Sequence, residues 1–154
     1  MMPATHTRRT SVKALNVTVS KRAQQALNRR AIRRYKQNKE YMECMKLSRT
    51  SDGFKIEEYI SVPIDSSDAE NVVANDTAYQ AIKKHMQVDG YEFGTIHTHI
   101  VSDTSPSKYD LEDGVAEGES LFGVISIEKV RGRIITQVDF WVPQLPATIH
   151  MVKT

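Results

Sequence analysis

Alternating apolar and polar residues predict strands in the first part of the chain, and a four-residue repeat predicts a helix between them. Residues 14–19 alternate in the way that a strand with one buried face requires. Ser20 follows and can cap a helix whose apolar residues are Ala23, Leu27, Ala31 and Tyr35. Residues 41–48 and 54–62 then alternate again, and the residues at 51–53 favour a tight turn. The pattern therefore predicts a strand, a helix and a hairpin in that order.

Helices and strands also follow one another in the second half of the chain. After a polar stretch, Asp76 can cap a helix that runs to Val88 and ends before Gly90. The other elements that the pattern predicts are a strand over 91–100, a short helix from Ser107 to about Ala116, and paired strands over 121–129 and 134–142. Hairpins mixed with helices in this order indicate an α/β or α+β domain with a mixed β-sheet.

The composition is that of one globular domain. The chain has 154 residues, of which 40% are hydrophobic and 26% are charged. We therefore expect a single domain over residues 13–150, preceded by a disordered basic tail over residues 1–12. No apolar run reaches the roughly 18 residues that a membrane span needs, so we expect no membrane partner. Cys44 is the single cysteine, which excludes an internal disulfide and favours a cytoplasmic location.

Charge is divided unevenly along the chain. Residues 1–39 contain eleven Lys or Arg and no acidic residue, which leaves ten basic and 19 acidic residues in the rest. The predicted helix after Ser20 carries Arg29, Arg30, Arg33 and Arg34. Such a segment can bind an acidic partner or a nucleic-acid backbone. A helix face that simply meets solvent has the same composition, so both interpretations stay open at the level of sequence.

The segment 94–111 contains the residues with the clearest chemistry. His97 and His99 are two residues apart on a predicted strand, so their imidazoles leave the same face of the sheet and can meet one metal ion. Asp110 lies near the start of the next predicted helix, three residues after Ser107, and can return to the same end of the strand. Two imidazoles and one carboxylate suit Zn²⁺ and leave a fourth position for water, as in catalytic zinc sites.

Two of these residues also have a purely structural interpretation. Ser107 can serve as the N-cap of the short helix, and Asp110 can be a first-turn carboxylate that the helix dipole favours. The complete spacing, His-x-His-x7-Ser-x2-Asp, is much rarer than an isolated His-x-His pair. The complete pattern therefore favours the metal site.

The early strand supplies a candidate for the general base. A water at such a metal needs a group that takes up its proton and passes it to the leaving amine. The candidate is Glu43 in the predicted strand 41–48, with Glu40 as a nearby competitor. The alternative for Glu43 is a carboxylate that faces solvent at the edge of the sheet.

Together these residues resemble the JAMM (MPN+) metalloprotease family, also called the JAB or Mov34 family. Its signature is a glutamate in an early strand, then His-x-His, then Ser and Asp at the spacing present here, and Glu43-Cys44-Met45 resembles the early-strand segment. The chain departs from the usual pattern at Ile100, where the family commonly has Pro, and at Lys46, where it commonly has Gly.

The resemblance implies both a fold and a set of roles. The fold would be of the MPN/JAMM type, a cytidine deaminase-like mixed β-sheet flanked by helices. His97, His99 and Asp110 would bind Zn²⁺, and Glu43 would be the general acid and base. Ser107 would donate a hydrogen bond to the tetrahedral oxyanion.

The resemblance also implies a substrate class. The enzyme would be a zinc isopeptidase or peptidase that removes a ubiquitin-like protein from lysine in its conjugates or trims the C-terminal tail of that modifier. The DNA-repair-associated RadC relatives carry a similar His-x-His and Pro-Ser-x-x-Asp segment, so a nucleic-acid-associated protein is the alternative. A third possibility is a non-catalytic assembly module of the MPN type.

Overall fold

A computed structural model describes residues 15–100 and 108–143 and the backbone of residues 151–153. The predicted tail over residues 1–12 lies outside these ranges, as does Ser107. No helix within the described ranges is long and apolar enough to cross a membrane.

Nine strands and three helices form within the described residues. The strands are β1 (Leu15–Val19), β2 (Met42–Thr50), β3 (Gly53–Ser61), β4 (Ile64–Ser67), β5 (Val72–Ala74), β6 (Glu92–His99), β7 (Leu121–Val130), β8 (Arg133–Trp141) and β9 (Met151–Lys153). The helices are α1 (Lys21–Tyr35), α2 (Asp76–Val88) and α3 (Lys108–Glu117). Every element predicted from the sequence is present, and the predicted ends differ from the observed ones by at most two residues.

Seven of the strands form one sheet, in the order β8-β7-β6-β2-β3-β1-β9. β6 lies near the middle of this sheet, antiparallel to β2 and parallel to β7. The sheet is nearly closed, because β9 at one edge also lies close to β8 at the other edge. β4 and β5 form a separate antiparallel hairpin. A mixed sheet combined with helices confirms the predicted α/β or α+β class.

α1 packs on one face of the sheet. Its first turn is capped by Ser20, whose hydroxyl accepts a hydrogen bond from the backbone N–H of Ala23. Leu27 and Ala31 are buried and belong to the same apolar cluster as Met45 and Ile96 of the sheet. The four-residue repeat of apolar positions therefore marks the side of α1 that contacts the sheet, as the sequence predicts.

α2 packs on the opposite face. Tyr79 and Met86 of this helix form a second cluster with Cys44 and Phe93 of the sheet. The rings of Tyr79 and Phe93 meet edge to face, with centroids 5.5 Å apart. Burial raises the pKa of the Cys44 thiol to about 12, so this side chain acts as a small apolar group.

Three local features differ from the predictions. Asn75, rather than Asp76, is the N-cap of α2, because its side chain accepts a hydrogen bond of 2.9 Å from the backbone N–H of Ala78. The polar stretch before α2 forms the hairpin β4–β5. β9 pairs with β1 beyond residue 150, where the predicted domain ends. Short polar strands and three-residue strands carry too little alternation to be recognised in a sequence.

Candidate metal centre

β6 places the two histidines of the sequence motif on one face of the sheet. His97 is the cross-strand neighbour of Met42, and Met42 packs against the cluster under α2. His99 lies two residues further along β6, so its side chain leaves the same face. The two imidazole rings meet edge to face, with centroids 4.9 Å apart. The relative position of the two rings is the one that the His-x-His spacing predicts.

Asp110, in the first turn of α3, completes a group of three possible ligands. Its Oδ2 atom is 3.4 Å from Nε2 of His97 and 3.7 Å from Nε2 of His99. All three ligand atoms lie within 4.8 Å of one another. In a tetrahedral site with bonds of about 2.1 Å, ligand atoms are separated by roughly 3.4 Å. The spacing of this group therefore suits one small divalent cation.

The environment of the three side chains also fits a bound cation. His97, His99 and Asp110 are shielded from solvent, with side-chain exposures of 14%, 17% and 16%. Nε2 of His97 is buried and makes no hydrogen bond to another described residue. A buried polar atom without a hydrogen bond is unfavourable, and coordination of a cation would satisfy this one. We therefore interpret the group as a candidate metal centre.

Ser107, the predicted oxyanion donor, lies outside the described residues. It immediately precedes Lys108, the first residue of α3, and is three residues before Asp110. Its role as a hydrogen-bond donor stays a prediction.

Glu43 does not lie beside this group. Its cross-strand neighbour on β6 is Ile96, so its side chain is on the α1 face of the sheet, opposite to His97. There the carboxylate accepts hydrogen bonds of 2.5 and 2.9 Å from the guanidinium of Arg30 and another from the hydroxyl of Tyr41. The prediction that Glu43 acts next to the metal ligands is therefore wrong. Glu43 is instead the fully buried partner of Arg30.

Glu40, the competitor considered in the sequence, is a buried carboxyl that interacts electrostatically with all three residues of the candidate metal centre. Glu40 is 5% exposed. Burial raises the pKa of its carboxyl, the charges of His97 and His99 lower that pKa, and the charge of Asp110 raises it. Because all three candidate ligands act on Glu40, we assign it to the same side of the sheet.

The hairpin β4–β5 fixes the backbone of Glu40. The amide N–H of Glu40 donates a hydrogen bond of 2.8 Å to the carbonyl oxygen of Asp68. The carbonyl oxygen of Glu40 accepts a hydrogen bond from the hydroxyl of Ser67, at the end of β4. A segment that the sequence marks only as polar thus holds both backbone groups of Glu40.

A cavity of about 350 Å³ opens beside His97 and Asp110. Met42, Phe122 and strand β5 provide its apolar walls. Four further carboxylates also line it: Asp76, Asp113, Glu117 and Glu119. A cavity of this volume can hold a segment of a bound ligand next to the candidate metal centre.

Glu119 is a buried carboxyl that sequence reasoning did not find. It accepts hydrogen bonds from the hydroxyl of Thr95 at 2.6 Å and from the hydroxyl of Tyr79 at 3.4 Å. Burial raises the pKa of Glu119 to about 7. Thr95 lies two residues before His97 on the same face of β6, so Glu119 joins the ligand-bearing strand to α2. Nothing in the local sequence distinguishes Glu119 from the acidic residues on the surface.

Comparison with known proteins supports the fold alone. No family model matches the sequence, and no curated protein matches it. Among solved structures, the chain is similar to the solution structure of protein DSY2949 from Desulfitobacterium hafniense, with a TM-score of 0.57 and 15% sequence identity. The similarity covers 90% of this chain and 91% of that chain. At this identity the likeness indicates a shared α+β fold and carries no information on activity.

Proposed function

We propose that the protein is a zinc-dependent hydrolase of the JAMM (MPN+) type. The enzyme would remove a ubiquitin-like modifier from lysine, or it would trim the C-terminal tail of that modifier. The observation that carries the proposal is the compact group of His97, His99 and Asp110, whose ligand atoms lie within 4.8 Å of one another. The buried carboxyl of Glu40 and the adjoining cavity add the groups that a hydrolase needs beside its metal.

The ligand set favours zinc among the biological cations. Mg²⁺ and Ca²⁺ prefer oxygen ligands, whereas two imidazoles and one carboxylate are a set found in catalytic zinc sites. Three protein ligands leave a fourth position open. Bound zinc would lower the pKa of a coordinated water and polarise the carbonyl of the scissile bond.

Glu40 takes the place of Glu43 as the proposed general base. Burial raises the pKa of its carboxyl, which makes the carboxylate a better proton acceptor. Glu40 would accept a proton from the attacking water and pass it to the nitrogen of the leaving amine. Glu40 also precedes the His-x-His segment, and it lies two residues before β2, close to the early-strand position at which the family carries its glutamate.

β5 offers a place for the extended tail of a modifier. The strand that carries the histidines, β6, is paired on both sides, with β2 and with β7, so a peptide strand cannot be added there. β5 lines the cavity, and among the described strands it pairs with β4 alone. A tail that adds to the open side of β5 would run along the cavity and present its scissile carbonyl near His97.

Hydrolysis of defined modifier substrates tests the proposal. The full chain is loaded with zinc and incubated with a ubiquitin-like protein that is extended by a C-terminal peptide, and separately with a lysine-linked conjugate. We expect cleavage directly after the modifier's own C-terminus. A chelator should abolish the cleavage, and added zinc should restore it.

Variants of the candidate ligands separate metal binding from folding. We expect His97→Ala and Asp110→Ala to lose both zinc and activity, because two remaining ligands bind far more weakly. His85→Ala is the matched control, since the His85 side chain is 80% exposed. Stoichiometric zinc in the double variant His97→Ala/His99→Ala would refute the metal centre. A zinc-loaded parent that cleaves neither substrate would favour a non-catalytic assembly module.

A further inference from the structure

α1 carries four basic side chains in a line on its solvent side. Arg22, Arg29, Arg33 and Lys36 are all exposed, and Lys36 is the C-cap of the helix. With 3.6 residues per turn, these positions fall within about 60° of the helix circumference and extend over about 21 Å. We call these four residues the basic stripe.

The basic stripe differs from the basic face that the sequence suggests. Arg30 pairs with the buried carboxylate of Glu43, and the guanidinium of Arg34 lies 5.9 Å from the centroid of the Tyr41 ring. Both side chains therefore point back into the fold. The four stripe residues form no ion pair with any other residue that the structure describes. Residues 15–39 contain no Asp or Glu that could neutralise them locally.

The stripe lacks the apolar centre of a protein interface. Among the described residues, the large apolar side chains that are exposed all lie outside α1, at Val73, Val88, Val115, Val130 and Ile135. Protein interfaces concentrate aromatic and aliphatic groups at their centre. Contacts to phosphate groups need only cationic and hydrogen-bonding side chains, such as the exposed Gln25 beside Arg22 and Arg29. The composition of the stripe therefore fits a nucleic-acid backbone better than a protein surface.

The stripe also fits a duplex better than a single strand. Proteins that bind single strands stack the bases on exposed aromatic side chains. Tyr35, the aromatic residue of α1, packs against the apolar core instead. The major groove of B-form DNA is wide enough to admit an α-helix, whose basic side chains then lie close to the phosphates on either side of the groove, whereas the major groove of an RNA duplex is deep and narrow.

We propose that the basic stripe binds the phosphate backbone of double-stranded DNA without reading its base sequence. α1 packs on the face of the sheet opposite to His97, so DNA would bind on a different surface from the candidate metal centre. Neutralisation of four phosphates by four cations releases their counterions. The logarithm of the binding constant should then fall with the logarithm of salt concentration, with a slope of about −3 to −4 from the stripe alone.

Fluorescence anisotropy with a short labelled DNA duplex, measured over a series of salt concentrations, tests this proposal on the full chain. The variant Arg22→Gln/Arg29→Gln/Arg33→Gln/Lys36→Gln removes the charges, and Gln keeps a good helix propensity. We expect binding at low salt to weaken by at least about tenfold. The slope of the binding constant against salt concentration should become less negative by about 3 to 4. The double variant Arg29→Gln/Arg33→Gln should lose about half of that slope.

A matched variant removes the same charge from elsewhere on the surface. Four exposed basic residues outside α1 are replaced together by Gln, and this variant should keep the parental slope: Lys84, Lys129, Arg131 and Arg133.

An equal loss in both quadruple variants would overturn the proposal, because it would show an effect of net charge alone. Tighter binding to single-stranded DNA, duplex RNA or labelled polyglutamate than to duplex DNA would also overturn the proposal. A polyglutamate preference would place an acidic protein at the stripe. Unchanged circular dichroism and zinc content in the stripe variant would establish that binding was lost without loss of structure.

Discussion

The carboxyl group of Glu40 is the side chain on which proton transfer depends in the proposed reaction. In Glu40→Gln the amide keeps the shape of the side chain but cannot accept a proton. We expect zinc content and folding close to those of the parent, and hydrolysis slower by about 10²- to 10⁴-fold. The measurement is kcat on a modifier extended by a C-terminal peptide, together with the zinc content of the same preparation.

Glu43→Gln is the matched control for that variant, and it should show the opposite pattern. Glu43 lies on the α1 face of the sheet, away from His97, so zinc content and kcat should stay near parental values. Stability should fall, because the positive charge of Arg30 loses its buried partner. A folded but inactive Glu43→Gln protein, alongside a fully active Glu40→Gln protein, would return the role of base to Glu43.

The ion pair between Arg30 and Glu43 allows a prediction about stability alone. Removing one partner of a buried ion pair typically costs about 3–5 kcal/mol, because a charge is left buried without compensation. In Arg30→Gln the charge left behind is that of Glu43, which is fully buried, so we expect a loss of stability within that range. Urea unfolding measures the change, and Arg29→Gln on the exposed side of α1 should change stability by less than about 0.5 kcal/mol. Equal stability of the two variants would contradict a stabilising ion pair.

At the scale of elements, β2 explains why the sequence could not choose between the two glutamates. Glu40 lies two residues before β2 and Glu43 lies within it, and residues three positions apart along an extended chain face opposite sides of a sheet. The face is normally recognised from alternating polar and apolar residues, but β2 lies between β3 and β6, and Cys44 and Met45 are both fully buried. For His97 and His99 the face of the strand did not have to be recognised, because residues two positions apart on a strand always share one face.

The close approach of β6 and β7 allows a prediction for Gly94. A Cβ atom at this position would lie 2.1 Å from the carbonyl oxygen of Leu121 on β7. We expect Gly94→Ala to push the strands apart, to destabilise the fold by at least about 1–3 kcal/mol, and to weaken zinc binding, because β6 carries both histidines.

Gly123→Ala is the control on the neighbouring strand. Its Cβ atom would meet two atoms of the Ile96 side chain at 2.9 Å and the ring of Phe140 at 3.1 Å. Side-chain atoms can shift more readily than the backbone carbonyl that a Cβ atom at Gly94 would meet. We expect a smaller loss of stability than in Gly94→Ala and parental zinc affinity. Thermal unfolding and zinc titration report the two quantities, and parental behaviour of Gly94→Ala in both would show that the strands can separate without cost.

At the scale of the whole molecule, the order of elements predicts a mixed sheet but not its closure. β9 pairs with β1 from the far end of the chain, and such a long-range contact leaves no local pattern in the sequence. The burial of Glu119 has the same origin, because it depends on β6, α2 and the turn after α3 meeting at one point. The spacing of the candidate ligands can therefore be recognised in the sequence, whereas the burial of Glu119 beside them depends on tertiary packing.

Glu119 should make the stability of the whole fold depend on pH. Burial raises its pKa from 4.5 to about 7 in the folded protein, so between these values the folded chain holds a proton that the unfolded chain has released. The contribution of this group to the free energy of unfolding therefore falls as pH rises from 4.5 to about 7 and stays low above that range. Glu119→Gln resembles the neutral form and should be more stable than the parent at about pH 8, with little difference at about pH 4.5. Urea unfolding of both proteins at several pH values checks this, and a stability difference that does not change with pH would contradict it.

The support of Glu40 by the hairpin β4–β5 has a consequence for how this protein can diverge. The hairpin binds the backbone of Glu40 through Ser67 and Asp68, whereas the candidate metal ligands come from β6 and α3. In the proposed enzyme, cation affinity and proton transfer would therefore belong to separately encoded segments. Insertions, deletions or a bound regulator at the hairpin would change turnover in descendants of this chain and leave the cation in place. An inactive descendant would then keep its metal, and metal content alone would be a poor guide to which members of such a lineage are working enzymes.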